Sequence, residues 1–107
     1  MSEEEFNAAD PKAVKERKRK EKREDEQAQE DLRELLRHPF GRRHLWRMLQ
    51  KCHVWRSSFH PSGQQFAANE GRRSVGVELM SEIIEADPQA WIDMQQERLD
   101  EERKQSM

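Results

Sequence analysis

The sequence predicts an all-α fold: a small three-helix domain preceded by a long charged N-terminal arm, helical or disordered. Three observations lead there. No segment alternates apolar and polar residues with the period of two that a half-buried strand needs. Apolar residues recur instead at helical spacing between Leu32 and Leu99. Asp-Pro, an N-cap followed by proline at the first helical position, occurs twice, at Asp10-Pro11 and Asp87-Pro88.

Composition limits the size of that domain. Of 107 residues, 33% are hydrophobic and 39% are charged. Charge and apolarity are segregated. Residues 1–31 hold eight Lys/Arg and eleven Asp/Glu, residues 32–92 nine and six, and residues 93–107 three and five. All three Trp and three of the four Phe fall in the middle segment. The foldable part is therefore only about 60–65 residues, near the lower limit for independent folding, and a partner or self-association is the natural source of further stability.

Each element has its own justification. Residues 1–9 read as a disordered tail and residues 10–32 as a charged arm. Between Val14 and Ala28 there is no apolar residue, so a helix there has no face to bury. Pairs four residues apart, such as Arg17/Glu21, Lys20/Glu24 and Lys22/Glu26, support it by roughly 0.2–0.5 kcal/mol each. Leu32, Leu35 and Leu36 begin the helical domain of residues 33–99, and Pro39 ends the first helix. A second helix fits Arg42 to about Val54, with Leu45, Trp46, Met48, Leu49 and Cys52 on one stripe. Residues 55–63 form a loop by their Ser, Pro and Gly content. A third helix fits Gln64–Ala86 and contains Gly71 and Gly76, which allow close helix approach or mark a kink. A fourth fits Pro88 to about Lys104, with Trp91, Ile92, Gln95 and Leu99 inward and residues 100–107 as a charged tail. The core drawn from these stripes is Leu36, Leu45, Trp46, Leu49, Cys52, Phe59, Phe66, Leu79, Ile83, Trp91 and Ile92.

Several function classes drop out. No apolar run approaches the roughly 18 residues of a membrane span, and the acidic start MSEEEF has no secretory h-region. The single cysteine, Cys52, fits a reducing compartment. His38, His44, Cys52, His53 and His60 show no metal-ligand spacing, so no metal site and no cofactor is expected. Adjacent Cys52 and His53 diverge on a helix, and Ser57 and Ser58 beside His60 have no nameable oxyanion donors. No catalytic residue is assigned, and the chain is not expected to be an enzyme.

The charged clusters carry the remaining signal. Between Arg33 and Arg56 stand seven Lys/Arg, one acid and three His, with Trp46 and Trp55 interleaved. Arg42, Arg43, Arg47, Lys51 and Arg56 are candidate contacts to a partner or to nucleic-acid phosphates. A solvated helix face or a dock for an acidic protein surface is the plainer reading of the same residues. Arg72 and Arg73, in the string NEGRR, either pair with Glu70 inside the fold or grip a partner carboxylate.

The strings RHPFGRRHLWRMLQKCHVWRSSF, GQQFAANEGRRSVGVELMSEII and ADPQAWIDMQQE resemble a small family of short-tailed bacteriophage proteins first described in a Bordetella phage. The shared features are the Gly-Arg-Arg helix start from Gly41 to Trp46, Ser58-Phe59, the segment Phe66–Arg73, and Asp87-Pro88. The resemblance spans residues 36–97 and leaves out the charged arm. It implies a gene among those for portal, head and packaging proteins, and a role in phage morphogenesis or as a virion component. It implies no activity residue by residue. The expected function is a non-enzymatic assembly or virion-associated protein acting through protein–protein contacts with a portal, head or scaffold protein, or with itself. The alternative is a DNA-binding packaging or ejected protein using the face from Arg42 to Arg56. Either reading places the protein in the bacterial host cytoplasm during assembly or in the virion.

Overall fold

The computed structural model describes residues 10–106. The tail expected at residues 1–9 lies outside that range. The described chain is four helices: α1 Pro11–Leu36, α2 Pro39–Lys51, α3 Gly63–Ala86 and α4 Pro88–Ser106. The domain is thus four-helical, because the last turns of α1 join the three helices expected. Among the described residues no helix is long and apolar enough to cross a membrane.

Helix starts follow the capping chemistry in the sequence. Asp10 Oδ1 accepts from the Lys12 amide at 3.0 Å, with Pro11 at the first helical position. Ser62 Oγ caps α3 through the Gln65 amide at 3.4 Å. Asp87 ends α3 and caps α4 at once, its Oδ1 accepting from the Ala90 amide at 3.1 Å. The α3–α4 corner is therefore a single residue. Pro39 does more than end α1: it is the first residue of α2, which starts a turn before the expected Arg42.

Along α1 the pairs Arg17–Glu21, Lys20–Glu24 and Lys22–Glu26 close at 3.3, 4.0 and 4.0 Å. They are exposed, so each contributes a few tenths of a kcal/mol at most. Docking of α1 comes from its other end. Leu36 is 1% exposed, Leu32 packs beside it, and Arg33 Nε donates to the Ala86 carbonyl at the end of α3 (3.0 Å).

The core is Leu36, Leu45, Leu49, Val54, Ile83, Ala86, Ala90 and Met94. Trp46, Cys52, Leu79 and Trp91 pack against it, half-buried. Three expected core residues are outside: Phe59 is 73% exposed, Phe66 41% and Ile92 56%. Phe59 and Phe66 meet edge to face at 6.4 Å, forming a surface pair of their own. On α4 the inward face is Ala90 and Met94, while Ile92, Gln95 and Leu99 point outward. The reason is the close α3–α4 corner: a short helix connection brings small residues such as Ala86 and Ala90 into contact, and apolarity alone does not flag alanine as core.

Two glycines set close approaches. A Cβ on Gly41 would collide with the Leu35 carbonyl, so Gly41 lets α2 turn tightly off α1. A Cβ on Gly76 would collide with a Val54 methyl and lie 2.5 Å from Cys52 Cβ, so Gly76 seats α3 against the end of α2. Gly71 faces open space and has no packing role.

Candidate functional site

The basic residues of α2 divide into two groups. Arg42 is half-buried and committed within the fold. Its Nε donates to Glu97 Oε1 of α4 at 2.5 Å and its Nη1 to the Leu36 carbonyl at 2.8 Å. It satisfies an orphan carbonyl at the α1 C-terminus and ties α1, α2 and α4 together. Arg43, Arg47 and Lys51 lie four residues apart on one exposed face of α2 and make no ion pair among the described residues.

Arg43 and Arg47 border a groove of about 610 Å³ between α2 and α4. Its other wall carries Glu97, Asp100 and Glu101 beside Arg98 and Lys104, so the groove is mixed in charge rather than uniformly basic. Trp46 lines the groove and is the centre of a tilted aromatic cluster, 4.8 Å from Trp55 and 6.1 Å from Trp91. The Trp46 indole N–H is buried without a hydrogen-bond partner among the described residues.

The remaining candidates sit elsewhere. Arg56, in the turn after α2, and Arg72, on α3, line one small cavity together with Ser58. Arg73 pairs with Glu70 at 3.9 Å, but the two side chains are 40% and 47% exposed, so this is a surface pair and not a buried register lock. Among the described residues no group of three His, Cys, Asp or Glu side chains comes together as a metal site would require. His60 Nδ1 accepts from the Ser62 amide at 3.0 Å, fixing the loop before α3.

Sequence reasoning missed the most distinctive local geometry. His53 has φ 58°, the left-handed conformation. Its amide donates to the Gln50 carbonyl (3.0 Å) and the Val54 amide to the Leu49 carbonyl (3.5 Å). This is a Schellman end to α2, with buried Val54 and Leu49 as its apolar contact. Glycine usually marks such an end, and histidine gave no such cue. The motif turns the chain so that Arg56 and Ser58 face α3.

Residues 31–96 match the family of Bbp19-like phage proteins. The chain belongs to that family. No curated protein and no solved structure matches it. The family segment takes in the Gly41–Arg42 corner, the Trp46 cluster, the His53 turn, all of α3 and the first half of α4. It begins at Asp31, five residues before the resemblance read from the sequence, and leaves out most of the charged run of α1. Membership in the Bbp19-like family gives the chain a phage-related role.

Proposed function

We propose that this Bbp19-like chain is a non-enzymatic phage assembly or virion-associated protein that works by protein–protein contact, its partner a structural protein such as portal, head or scaffold. One observation supports this above the rest. Among the described residues ten large apolar side chains are exposed, against eight apolar residues buried in the core. Single exposed apolar residues are ordinary, but here they form groups. Ile92 and Leu99, seven residues apart, share the outer face of α4 and are 56% and 48% exposed. Phe59 pairs with Phe66, and Phe40 stacks on His38 at 4.9 Å. Such groups, on a domain this small, are suited to burial against another protein.

The test is a Ile92→Ser/Leu99→Ser double variant. Both sites are exposed, so the variant is expected to keep its helical circular dichroism. The wild type is expected to form a stable complex with a structural protein of its own phage, or a concentration-dependent oligomer, and the variant to lose at least about tenfold in affinity, as removal of interface anchors does. A wild type that stays monomeric and binds none of the portal, head and scaffold proteins overturns the proposal.

A second reading, DNA binding, is favoured by the row Arg43, Arg47 and Lys51, exposed and without ion pairs among the described residues. Arg42 does not belong to that row, since its donors serve Glu97 and Leu36.

A further inference from the structure

We propose that the turn after α2 and the second and third turns of α3 form a binding site for a phosphate-class oxyanion. This does not depend on the assembly reading. A cavity of about 150 Å³ lies between them, lined by His53, Arg56, Ser57, Ser58, Asn69 and Arg72. All six side chains can donate a hydrogen bond and none is a carboxylate. That selection stands out in a chain with 22 Asp and Glu residues.

Three features make it a built site. Ser58 is buried (8% exposed), and its hydroxyl has no hydrogen-bond partner among the described residues. A buried donor left unmade carries a desolvation cost that a bound acceptor removes. Arg56 and Arg72 are exposed and make no ion pair among the described residues, so their guanidinium groups are free to close on an anion. The two walls are also fixed to each other, because Asn69 Nδ2 donates to the Ser58 carbonyl at 3.3 Å. The Phe59 amide donates to Ser57 Oγ at 3.2 Å, which leaves the Ser57 proton to donate.

The donor set favours phosphate over a carboxylate. Two guanidinium groups and a hydroxyl lining one cavity from its two walls suit a tetrahedral group with several acceptor oxygens, whereas a carboxylate offers two in one plane. A water occupies only about 10–15 Å³ of such space, so a five-atom anion fits. The phosphate is either free in solution or part of a nucleic-acid backbone.

The experiment titrates sodium phosphate into the full chain, at constant ionic strength held by sodium chloride, and follows backbone amide shifts by NMR. Saturable shifts are expected at residues 53–58 and 69–72. Arg56→Gln/Arg72→Gln is expected to weaken phosphate by at least about tenfold. Arg43→Gln/Arg47→Gln, which removes the same charge elsewhere, is expected to leave it within about twofold. Ser58→Ala, checked for retained fold, is expected to weaken it as well. Absence of saturable shifts, or equal losses in the two arginine double variants, overturns the site. A short DNA duplex then separates the sources. Displacement of phosphate by the duplex assigns a nucleic-acid phosphate, and its failure to displace assigns free phosphate.

Discussion

Among the described residues His53 is the one non-glycine residue with positive φ, and it sits where α2 must end for α3 to return. An L-residue in that region costs roughly 1–2 kcal/mol, and glycine escapes the cost but loses more chain entropy on folding. His53→Gly is therefore expected to stabilise the protein by about 1 kcal/mol in urea unfolding. The two internal glycines of α3 divide in the same physical terms. Gly71→Ala adds a methyl in open space and is expected to gain about 0.5–1 kcal/mol. Gly76→Ala drives a methyl into Val54 and Cys52 and is expected to cost about 1–3 kcal/mol. Paired melts of the two variants check the signs, and a Gly76→Ala chain as stable as wild type would disprove the close approach. Arg42 is told apart from its neighbours likewise. Arg42→Ala breaks charge-assisted bonds to Glu97 and Leu36 and leaves a carbonyl unsatisfied. Glu97 is 37% exposed, so solvent screening tempers the loss to about 2 kcal/mol. Arg43→Ala and Arg47→Ala, on the open face, are expected to stay within about 0.5 kcal/mol.

At the scale of the helix, what was legible was what local chemistry decides. Asp10 and Asp87 cap their helices with their own side chains, and the Asp-Pro starts appear as the sequence suggested, whereas the Ser62 cap of α3 was not read from it. The face each helix turns inward was less legible, because it depends on how closely its neighbours come. Where α3 and α4 meet through one residue, Ala86 and Ala90 fill the contact and Ile92 is left outside. Phe66, in the first turn of α3, meets Phe59 at the surface and stays out of the core. The basic site was legible as a cluster of charges, but not in its division. Nothing in the spacing of Arg42, Arg43 and Arg47 says which one meets an acid 55 residues away. Helix α1 joins the core through its last turns, and adjacent leucines test this. Leu36 is 1% exposed and Leu35 is 36% exposed. Leu36→Ala is expected to cost about 2–5 kcal/mol, a large share of the stability of a domain this size. Leu35→Ala is expected to cost about 1 kcal/mol or less. Equal melting temperatures for the two variants would mean that α1 is not a member of the core.

The whole molecule is extended for its length. Its radius of gyration is 18.9 Å and its extents are 64 × 41 × 20 Å, whereas a compact chain of this length has a radius near 13 Å. Its surface of 8457 Å² exceeds the roughly 6,300 Å² of a compact monomer of this mass. The excess is larger than the roughly 800 Å² that one partner contributes to a standard interface, so there is surface to bury without unfolding anything. Charge and apolar surface then predict opposite responses to salt. Contact through Ile92, Leu99, Phe59 and Phe66 gains from removal of apolar area, which moderate salt leaves nearly unchanged. Contact of Arg43, Arg47 and Lys51 with DNA releases counterions, and its affinity falls with a log–log slope of about −0.9 per phosphate, or roughly −2.7 for three contacts. Complex formation with the structural partner is therefore expected to persist from low to physiological salt and to survive Arg43→Glu/Arg47→Glu. Arg42 is kept in that variant so that a lost fold does not pass for a lost contact. Association that vanishes with salt along the steep slope, and with the double reversal, would instead make the α2 face the working surface and DNA its partner.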